Sequence, residues 1–335
     1  MWSLAINMKY NIAVVMGGFS SEFEVSLESG RMVMENLSQE KFNIYKVLIT
    51  REAWLVETDS GSFPIDKNDF SFTENSQKTK FDAVFNAIHG APGEDGPLAG
   101  YFDLIEMPHT GSGQFESALT FNKAECSLLL KSIGVNIAEA YYLAKHEEYS
   151  AGEITDHVGL PCFVKPNRSG SSIGISKVKT IDELPIAIAK AFDIDSQIII
   201  ESMVLGTEVA CGVSNYSGKI KSLAITDVVP NNEFFDYDSK YSGKSEEITP
   251  ARIPDDTYQQ IMEESEFIFE SLNLNGISRV DYIVTENGVP FMIEVNTIPG
   301  LSSESFIPKQ TAYAGIPLSV FFGSVVENAL KNKTK

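Results

Sequence analysis

The sequence predicts an α/β protein of two or three domains. Apolar, strand-like runs alternate with helix-like runs along the chain, and this order of elements is typical of α/β architecture. With 335 residues, the chain is longer than one hydrophobic core usually serves, which favours more than one domain. Hydrophobic residues make up 43% of the chain and charged residues 21%, as in an ordinary globular protein.

The first part of the chain, residues 1–120, is predicted to be a doubly wound domain built on a parallel sheet. Its run NIAVVM is apolar throughout, as expected of a strand that is buried on both faces. Ligands of such sheets bind beyond the carboxyl ends of the strands, where this chain carries Gly17-Gly18 and His89-Gly90. The predicted strands are residues 11–16, 43–49 and 81–90, and the predicted helix is residues 22–37.

The rest of the chain is divided into a central domain, residues 121–208, and a C-terminal domain, residues 209–335. No Pro/Ser-rich linker marks either boundary. The central domain is predicted to contain helices at 122–133, 146–157 and 181–192 and strands at 161–166, 175–178 and 196–202. The C-terminal domain is predicted to contain a hairpin-like pair from 209, a polar loop at 230–250, a helix at 254–273, a second hairpin at 279–296 and a final helix from about 316.

The charge of the chain argues against nucleic acid as a partner. Its formal net charge is -20, whereas a protein that binds a duplex normally carries a basic surface. A small anionic ligand is compatible with this charge, because a few local lysines and amide groups suffice to hold it. No apolar run approaches the length of a membrane span, so we expect no membrane partner.

The cysteines and the N-terminus predict a cytoplasmic protein. Cys126, Cys162 and Cys211 are odd in number and widely spaced, and they form no C-x-x-C motif, which is typical of a reducing compartment without disulfides or a zinc site. The opening run MWSLAINMKY is too short in apolar residues for a signal peptide. Met8 is an alternative start, with residues 1–7 as a frayed lead-in.

The hairpin at 279–296 places polar residues together on one face. If Asn287-Gly288 forms a two-residue type I′ turn, Asp281 lies directly opposite Glu294 and Arg279 opposite Asn296. The other face then holds core residues, which are Val280, Tyr282 and Val284 against Val289, Phe291, Ile293 and Val295.

The facing acids of this hairpin predict a metal site. Like charges directly opposite each other destabilise a sheet, so a positive partner is expected. Arg279 is one candidate, but two carboxylates beside the amide oxygen of Asn296 favour Mg²⁺, which prefers oxygen ligands and completes its shell with phosphate oxygens and water. The alternative is a solvated polar face, which is the better interpretation of any single acid.

The run FVKPNRSGSSIG, residues 163–174, predicts a phosphate site. A strand and Lys165 precede a Gly/Ser loop whose backbone amides can approach an anion closely. The run does not match the P-loop pattern, and GGFSSEFEVSLESG at 17–30 does not match the Rossmann pattern G-x-G-x-x-G. An ordinary flexible turn is the alternative for the Gly/Ser loop alone, but a lysine, a glycine loop and an acidic hairpin together favour an ATP site of another kind.

The motifs, taken in order, resemble the D-alanine–D-alanine ligases of the ATP-grasp superfamily. The resemblance covers nearly the whole chain and rests on GGFSSEFEVSLESG, AIHGAPGEDG, TGSG, VKPNRSGSSIG, FFDYDSKY, SRVDY and IEVNTIPGLSSES. It implies an N-terminal α/β domain followed by central and C-terminal α+β domains that sandwich ATP. It also implies a homodimer that forms D-alanyl-D-alanine for peptidoglycan synthesis through an acyl phosphate, with release of ADP and phosphate.

The resemblance implies which residues bind ATP and metal. Lys123 and Lys165 would contact the phosphates, together with Ser172 of the Gly/Ser loop. Glu201, Ser202, Met203 and Val204 would form the hinge against adenine, and Glu208 would bind ribose. Two Mg²⁺ ions, with Mn²⁺ as a substitute, would be held by Asp281, Glu294 and Asn296.

The resemblance also implies the substrate residues. Glu22 would receive the ammonium group of the first D-alanine with His89 close by, and a general base is the alternative role for His89. Arg279 and the Gly300 backbone would hold the reacting carboxyl oxygen, and Ser305 the carboxylate of the second D-alanine. Ser171, Tyr241 and Glu22 would form a triad that closes a loop at about 230–250, and Lys240 lies on this loop.

Three positions depart from the family pattern, and they bear on nucleotide affinity and on the choice of second substrate more than on the class of reaction. Ser202-Met203 stands where some members carry Lys-Trp, Ser169 where some carry Glu, and Glu304 where some carry His. Two alternatives follow: a ligase whose second substrate is D-serine or D-lactate, and a non-catalytic nucleotide-binding regulator. The resemblance also implies D-alanine rather than D-lactate as the second substrate, because in this family a Tyr at position 241 goes with D-alanine and a Phe with D-lactate.

Overall fold

The computed structural model describes residues 9–230 and 245–332. Within them the chain forms three sheets, one in each third of the sequence. The strands of the first sheet are β1 (Tyr10–Gly17), β2 (Phe42–Ile49), β3 (Trp54–Thr58), β4 (Gly61–Asp66), β5 (Ser71–Glu74), β6 (Gln77–Lys80) and β7 (Ala83–Asn86). The helices that follow or cross this sheet are α1 (Phe23–Asn36), α2 (Pro97–Leu104) and α3 (Gln114–Phe121).

The first sheet is parallel over three strands only. Its order is β6-β5-β4-β3-β2-β1-β7, with β1 parallel to both β2 and β7 and the remaining pairs antiparallel. Only β1 and β2 are joined by a helix, α1, whereas β2 to β6 follow each other through short turns that cannot make a parallel crossover. The parallel part predicted from the sequence is therefore present, and an antiparallel meander extends it.

The second sheet is antiparallel, in the order β10-β9-β11-β8. Its strands are β8 (Ala140–Ala144), β9 (Cys162–Pro166), β10 (Ser176–Val178) and β11 (Gln197–Ser202). Its helices are α4 (Lys123–Ser132), α5 (Ala151–Val158) and α6 (Leu184–Phe192). The predicted helix at 146–157 begins later, at Ala151, because the Ser150 side chain accepts the N–H of Glu153 and caps the helix there.

The third sheet has the order β14-β13-β12-β15-β16. Its strands are β12 (Thr207–Ser214), β13 (Lys221–Pro230), β14 (Ser245–Ile248), β15 (Ile277–Val284) and β16 (Pro290–Asn296). Its helices are α7 (Asp255–Ser271), α8 (Phe306–Tyr313) and α9 (Leu318–Asn332). Because β12 begins at Thr207, this sheet starts close to the predicted boundary at 208; the domain boundaries themselves stay a prediction.

The hairpin of β15 and β16 confirms the predicted pairing of Asp281 with Glu294 and of Arg279 with Asn296. The predicted two-residue turn is wrong. Thr285 and Val289 close a three-residue loop in which the Gly288 N–H donates to the Thr285 carbonyl, and of the two central residues only Gly288 has a positive φ, 78°. The pairing is nevertheless right, because a bulge between Asp281 and Tyr282 shifts the register back by one residue.

The bulge corrects the predicted core face of β16. Met292 is buried in the core at 3% exposure, opposite Tyr282, while Phe291 and Ile293 face the large cleft described below. The prediction that Phe291 and Ile293 belong to the core is wrong, because the extra residue in the strand turns this part of β16 over.

Helix α9 closes the core of the first sheet. Phe321 and Phe322 are fully buried in a cluster that contains Ile12 and Phe85, and the rings of Phe85 and Phe322 meet edge to face at 5.8 Å. The last helix of the chain therefore completes the domain that the first strand begins. Within residues 9–230 and 245–332 no single helix is long and apolar enough to cross a membrane; α8 and α9 reach that length and composition only as a pair bent by 108°.

Candidate active site

A cleft of about 1100 Å³ lies between the second and third sheets. Every residue that the resemblance assigns to ATP lines it, together with two of the three predicted metal ligands. These lining residues are Lys123, Lys165, Ser172, Glu201, Ser202, Met203, Val204, Glu208, Asp281 and Glu294. The structure thus brings together residues that are up to 171 positions apart in the sequence, from Lys123 to Glu294.

Lys165 and Glu201 form a buried ion pair in this cleft. They lie on the neighbouring strands β9 and β11, where Lys165 faces Ile199 and Glu201 faces Phe163, so the pair is diagonal on one face. Nζ lies 2.5 Å from Oε2, and the two side chains are 13% and 10% exposed. Burial lowers the pKa of Lys165, but the charge and hydrogen bond of Glu201 outweigh it and raise that pKa above its usual value.

Lys123 joins three parts of the site at the start of α4. Its Nζ donates to the Ser169 carbonyl of the Gly/Ser loop at 2.8 Å and lies 3.3 Å from Oε2 of Glu294 on β16. The side chain is 14% exposed. A single ammonium group therefore links the loop predicted to bind phosphate to the hairpin predicted to bind metal.

Arg279 compensates the charge of Asp281 on the hairpin. Its Nε and Nη2 donate to the two carboxylate oxygens of Asp281 at 2.6 and 2.7 Å, and Asn296 donates to Asp281 from the facing strand at 3.2 Å. Burial lowers the pKa of Arg279, but the adjacent Asp281 outweighs it and raises the pKa well above its usual value. Each facing acid thus has a cationic partner: Arg279 for Asp281 and Lys123 for Glu294.

The hairpin side chains fit a hard cation in type and number. The residues searched in the described ranges contain no group of three His, Cys, Asp or Glu side chains suited to a metal. The site would instead offer the two carboxylates of Asp281 and Glu294, directly opposite each other at the cleft wall, and the amide of Asn296. Mg²⁺ commonly uses one or two carboxylates and takes its other ligands from phosphate and water, so the set fits such an ion beside a bound nucleotide.

Glu22 and Ser171 meet between the first sheet and the Gly/Ser loop. Ser171 Oγ donates to Glu22 Oε1 at 2.5 Å, and the carboxylate lies against Gly170, where a Cβ would approach Oε2 to 2.7 Å. Ser171 adopts a left-handed backbone with φ 52°, which a serine seldom does. Two members of the predicted triad are thus in contact; the third, Tyr241, and the loop residue Lys240 lie outside the described residues.

His89 lies behind Glu22 and is 4% exposed. Its Nε2 is 2.9 Å from Ser29 Oγ, and its ring also hydrogen-bonds the Ile298 carbonyl. Burial lowers the pKa of His89, while the negative charge of Glu22 partly opposes this shift. The histidine is near the predicted substrate residues, but its ring nitrogens are directed at the protein.

Gly300 and Ser305 lie at the N-terminus of α8. A Cβ on Gly300 would come within 2.6 Å of Ser305 Oγ, so the two residues approach each other closely. Ser305 precedes the first residue of α8, and its Oγ is 2.9 Å from Ser302 Oγ. Hydroxyl groups and free helix N–H groups together suit a carboxylate.

Glu94 and Arg252 lie near the site, although no motif in the sequence predicted a role for either. Burial, followed by the charge of Glu22, raises the pKa of Glu94 to about 7, and its Oε2 accepts the Gly90 N–H at 2.9 Å. Arg252 lines the cleft and is held by Asp227 at 2.9 Å. The motif AIHGAPGEDG contained Glu94, but nothing in its spacing marked the carboxyl group as buried.

Two family models match almost the whole chain. The model described as D-ala D-ala ligase N-terminus matches residues 11–112, and the model described as D-ala D-ala ligase C-terminus matches residues 129–327. The chain belongs to the D-alanine–D-alanine ligase family. The suspected resemblance and the predicted ATP-grasp fold are thereby confirmed, as is the prediction of an ATP-dependent ligase.

Named relatives agree along nearly their full length. D-alanine–D-alanine ligase of Flavobacterium johnsoniae is 51% identical over 321 residues, which are 96% of this chain and 99% of the relative. That of Parabacteroides distasonis is 46% identical and covers 98% of this chain and 100% of the relative.

Solved structures of the same family superpose closely. The VanG D-Ala:D-Ser ligase from Enterococcus faecalis has a TM-score of 0.87 at 33% identity, covering 96% of this chain and 100% of that one. D-alanine–D-alanine ligase from Bacillus anthracis complexed with ATP has a TM-score of 0.78 at 27% identity, covering 97% and 99%.

Proposed function

We propose that this protein joins two D-alanine molecules into D-alanyl-D-alanine at the expense of ATP. The observation that supports this most is the cleft, where lysines suited to phosphate and paired acids suited to Mg²⁺ converge in a chain of this family. A carboxylate is a poor electrophile, so phosphoryl transfer from ATP converts it to an acyl phosphate with release of ADP. The amine of the second D-alanine then attacks, loses a proton and displaces phosphate.

ATP would lie across the cleft with its phosphates at the lysines. Lys165 and Lys123 are both largely buried and both paired with acids, so the triphosphate would find preorganised positive charge rather than mobile surface lysines. The segment from Glu201 to Val204, with Ile293 opposite, would hold adenine, and Glu208 would bind ribose. Ser172 would supply a hydroxyl or an amide group to the phosphates.

Magnesium would be held by Asp281, Glu294 and Asn296. When bound, the ions offset charge on the transferring phosphoryl group. Because Arg279 and Lys123 already contact the two acids, these cations would share the carboxylates with the metal or shift toward substrate when the nucleotide binds. Loss of Mg²⁺ would therefore remove turnover without leaving the acids uncompensated.

The two amino acids would bind at the other end of the hairpin. Glu22 would accept the ammonium group of the first, and the N-terminus of α8 at Ser305 the carboxylate of the second. Arg279 and the Gly300 N–H would stabilise the oxyanion that forms when the amine attacks. The predicted loop at 230–250 would exclude water from the acyl phosphate, with Tyr241 and Lys240 on it.

A product assay tests the function directly. The purified protein is incubated with ATP, Mg²⁺ and D-alanine, and ADP release and product mass are measured. We expect ADP and D-alanyl-D-alanine in equal amounts. The same assay with D-serine or D-lactate added tests the alternative second substrates, and ATP binding without ADP release in every mixture would favour the non-catalytic regulator instead.

A homodimer in the cytoplasm is the setting we propose. Consecutive helices α2 to α4 expose large apolar side chains, among them Leu104 at 86% and Phe115 at 72%, which a second copy could cover. Light scattering of the protein with and without Phe115→Asp tests this, since only a dimer through this surface is dissociated by the added charge. The three cysteines are buried free thiols, which suits a reducing compartment.

A further inference from the structure

Ser29 links helix α1 to the segment that carries Gly300. Its side chain is fully buried, and its Oγ accepts the Leu301 N–H at 3.1 Å. The same Oγ is 2.9 Å from His89 Nε2. A hydroxyl that accepts the Leu301 N–H can still donate its own proton, so Ser29 can donate to the imidazole.

His89 holds the same segment from the other side. Its ring hydrogen-bonds the Ile298 carbonyl, and because Nε2 is directed at Ser29, Nδ1 is the nitrogen left to donate. This pattern fits the neutral ring with its proton on Nδ1. Burial, together with the positive charge of Arg279, lowers the pKa of His89 although Glu22 and the bond to Ile298 oppose it, and this direction favours the neutral form.

The two bonds flank the residues that matter for the reaction. Ile298 and Leu301 are the neighbours of Pro299-Gly300, and each has one backbone group fixed through the Ser29–His89 pair. Ile298, Pro299 and Leu301 also line a small cavity of about 20 Å³, so packing does not fill all the space around this segment. The Gly300 N–H itself donates to no described residue, which leaves it available to a ligand.

We propose that Ser29 and His89 are positioning residues that aim the Gly300 N–H at the reacting carboxyl oxygen, and that His89 transfers no proton. The proposal rests on the function proposed above. Oxyanion stabilisation depends on donor placement to a fraction of an ångström, so freeing the 298–301 segment would lower the rate of the chemical step rather than substrate binding. A purely structural role for the pair would lower stability and leave kcat unchanged.

Ser29→Ala tests the proposal, with Ser265→Ala as the matched control. Ser265 is equally buried and also bonds one side chain, the Tyr282 hydroxyl at 2.9 Å, but it has no link to Gly300. We expect Ser29→Ala to lower kcat about tenfold or more, with the KM for ATP within about twofold of the parent. Ser265→Ala should lower the melting temperature by about as much as Ser29→Ala does, and it should keep the kcat of the parent.

His89→Gln supplies the second readout and serves if Ser29→Ala fails to fold. Glutamine cannot act as a general base. If His89 transfers no proton, the pH profile of kcat/KM for this variant therefore keeps both limbs of the parent's profile, while kcat falls. Loss of one limb in this variant, or a Ser29→Ala protein with parental kcat, would overturn the proposal. Product formation by the parent is measured first: its absence refutes the proposed function and the positioning role with it, whereas its presence makes the variants a test of positioning alone.

Discussion

Replacing Glu201 with glutamine should destabilise the protein, because the largely buried ammonium group of Lys165 then loses its negatively charged partner. The substitution keeps the shape of the side chain but removes the charge 2.5 Å from Nζ, in a pair whose side chains are 13% and 10% exposed. Removal of one partner from a buried ion pair typically costs about 3–5 kcal/mol.

Three features of the site reduce this cost. Glu294 and Glu208 also act on Lys165, the new amide oxygen still accepts a hydrogen bond, and the cleft admits water. We therefore expect a loss of about 2 kcal/mol, which lowers the melting temperature of a chain of this size by about 3 °C.

The pH dependence of the difference gives a second signature. In the parent, the raised pKa of Lys165 means that the pair stabilises fully below pH 10.5, the unfolded value, and loses this contribution only above it. Without Glu201 the burial of Lys165 dominates and lowers its pKa in the folded state. The variant therefore loses stability as the pH falls from 10.5, the unfolded value, to this lowered pKa. The gap between parent and variant should therefore be larger at pH 7 than at pH 9.5.

Thermal unfolding at both pH values measures this gap, with Glu139→Gln as the control. Glu139 pairs with Lys131 at 2.9 Å on the surface, at 60% and 48% exposure, where such a pair contributes about 0–1 kcal/mol. Saturating ATP should narrow the Glu201→Gln gap, since phosphate would replace the lost charge. A gap no larger than that of the control, or one that does not change with pH, would refute the reasoning.

Three further predictions concern other parts of the molecule. Asp281→Asn should reduce turnover about a hundredfold or more and weaken its Mg²⁺ dependence, since the residue is a predicted metal ligand and the partner of Arg279; an unchanged Mg²⁺ titration would contradict the metal site. Ser171→Ala removes the bond to Glu22 and should raise the KM for D-alanine about fivefold to tenfold without changing that for ATP, as measured by steady-state kinetics. Burial raises the pKa of Glu264 to about 7, and its Oε1 has no partner among the described residues, so the stability of the protein falls as the pH rises from 4.5 to 7. Glu264→Gln should therefore stabilise the protein by about 1 kcal/mol at pH 8 and not at pH 4. Equal melting temperatures of parent and variant at pH 8 would count against this.

The hairpin shows what strand patterning can and cannot predict. The facing of Asp281 and Glu294 followed from alternation and a turn signal, and it is confirmed. The prediction survived because the longer loop and the bulge each shift the register by one residue, in opposite senses. A bulge leaves no mark in the residues themselves, since Phe291 and Ile293 are apolar whether they line a core or a cleft.

The antiparallel strands β3 to β6 of the first sheet were not predicted, for a different reason. Its strands are four to six residues long, and Gln77–Lys80 has the sequence QKTK with no apolar residue to set a period. Such strands form because neighbouring strands supply hydrogen bonds and aromatic contacts, as between Phe63 on β4 and Phe72 on β5, whose ring centroids are 6.4 Å apart. That information is spread over the chain rather than contained in the strand.

The pairing of side chains was the part of the site that the sequence predicted least well. From the sequence, Arg279 was one candidate partner of the facing acids and a metal the favoured one, whereas in the structure the guanidinium pairs with Asp281, two residues along its own strand. The bonds of Ser29 to His89 and Leu301 join residues 60 and 272 positions apart. Such contacts depend on how three sheets pack together, which no local pattern encodes.

The burial of Phe321 and Phe322 against the first sheet sets an order for folding on the ribosome. Phe85 leaves the exit tunnel long before its partners in α9 are synthesised, and at about 5 to 20 residues per second the delay is tens of seconds. During that time one apolar face of the first sheet is exposed. The nascent chain is therefore a natural client for chaperones, and a chain that ends before Leu318 has a fully translated N-terminal domain that lacks the helix covering it.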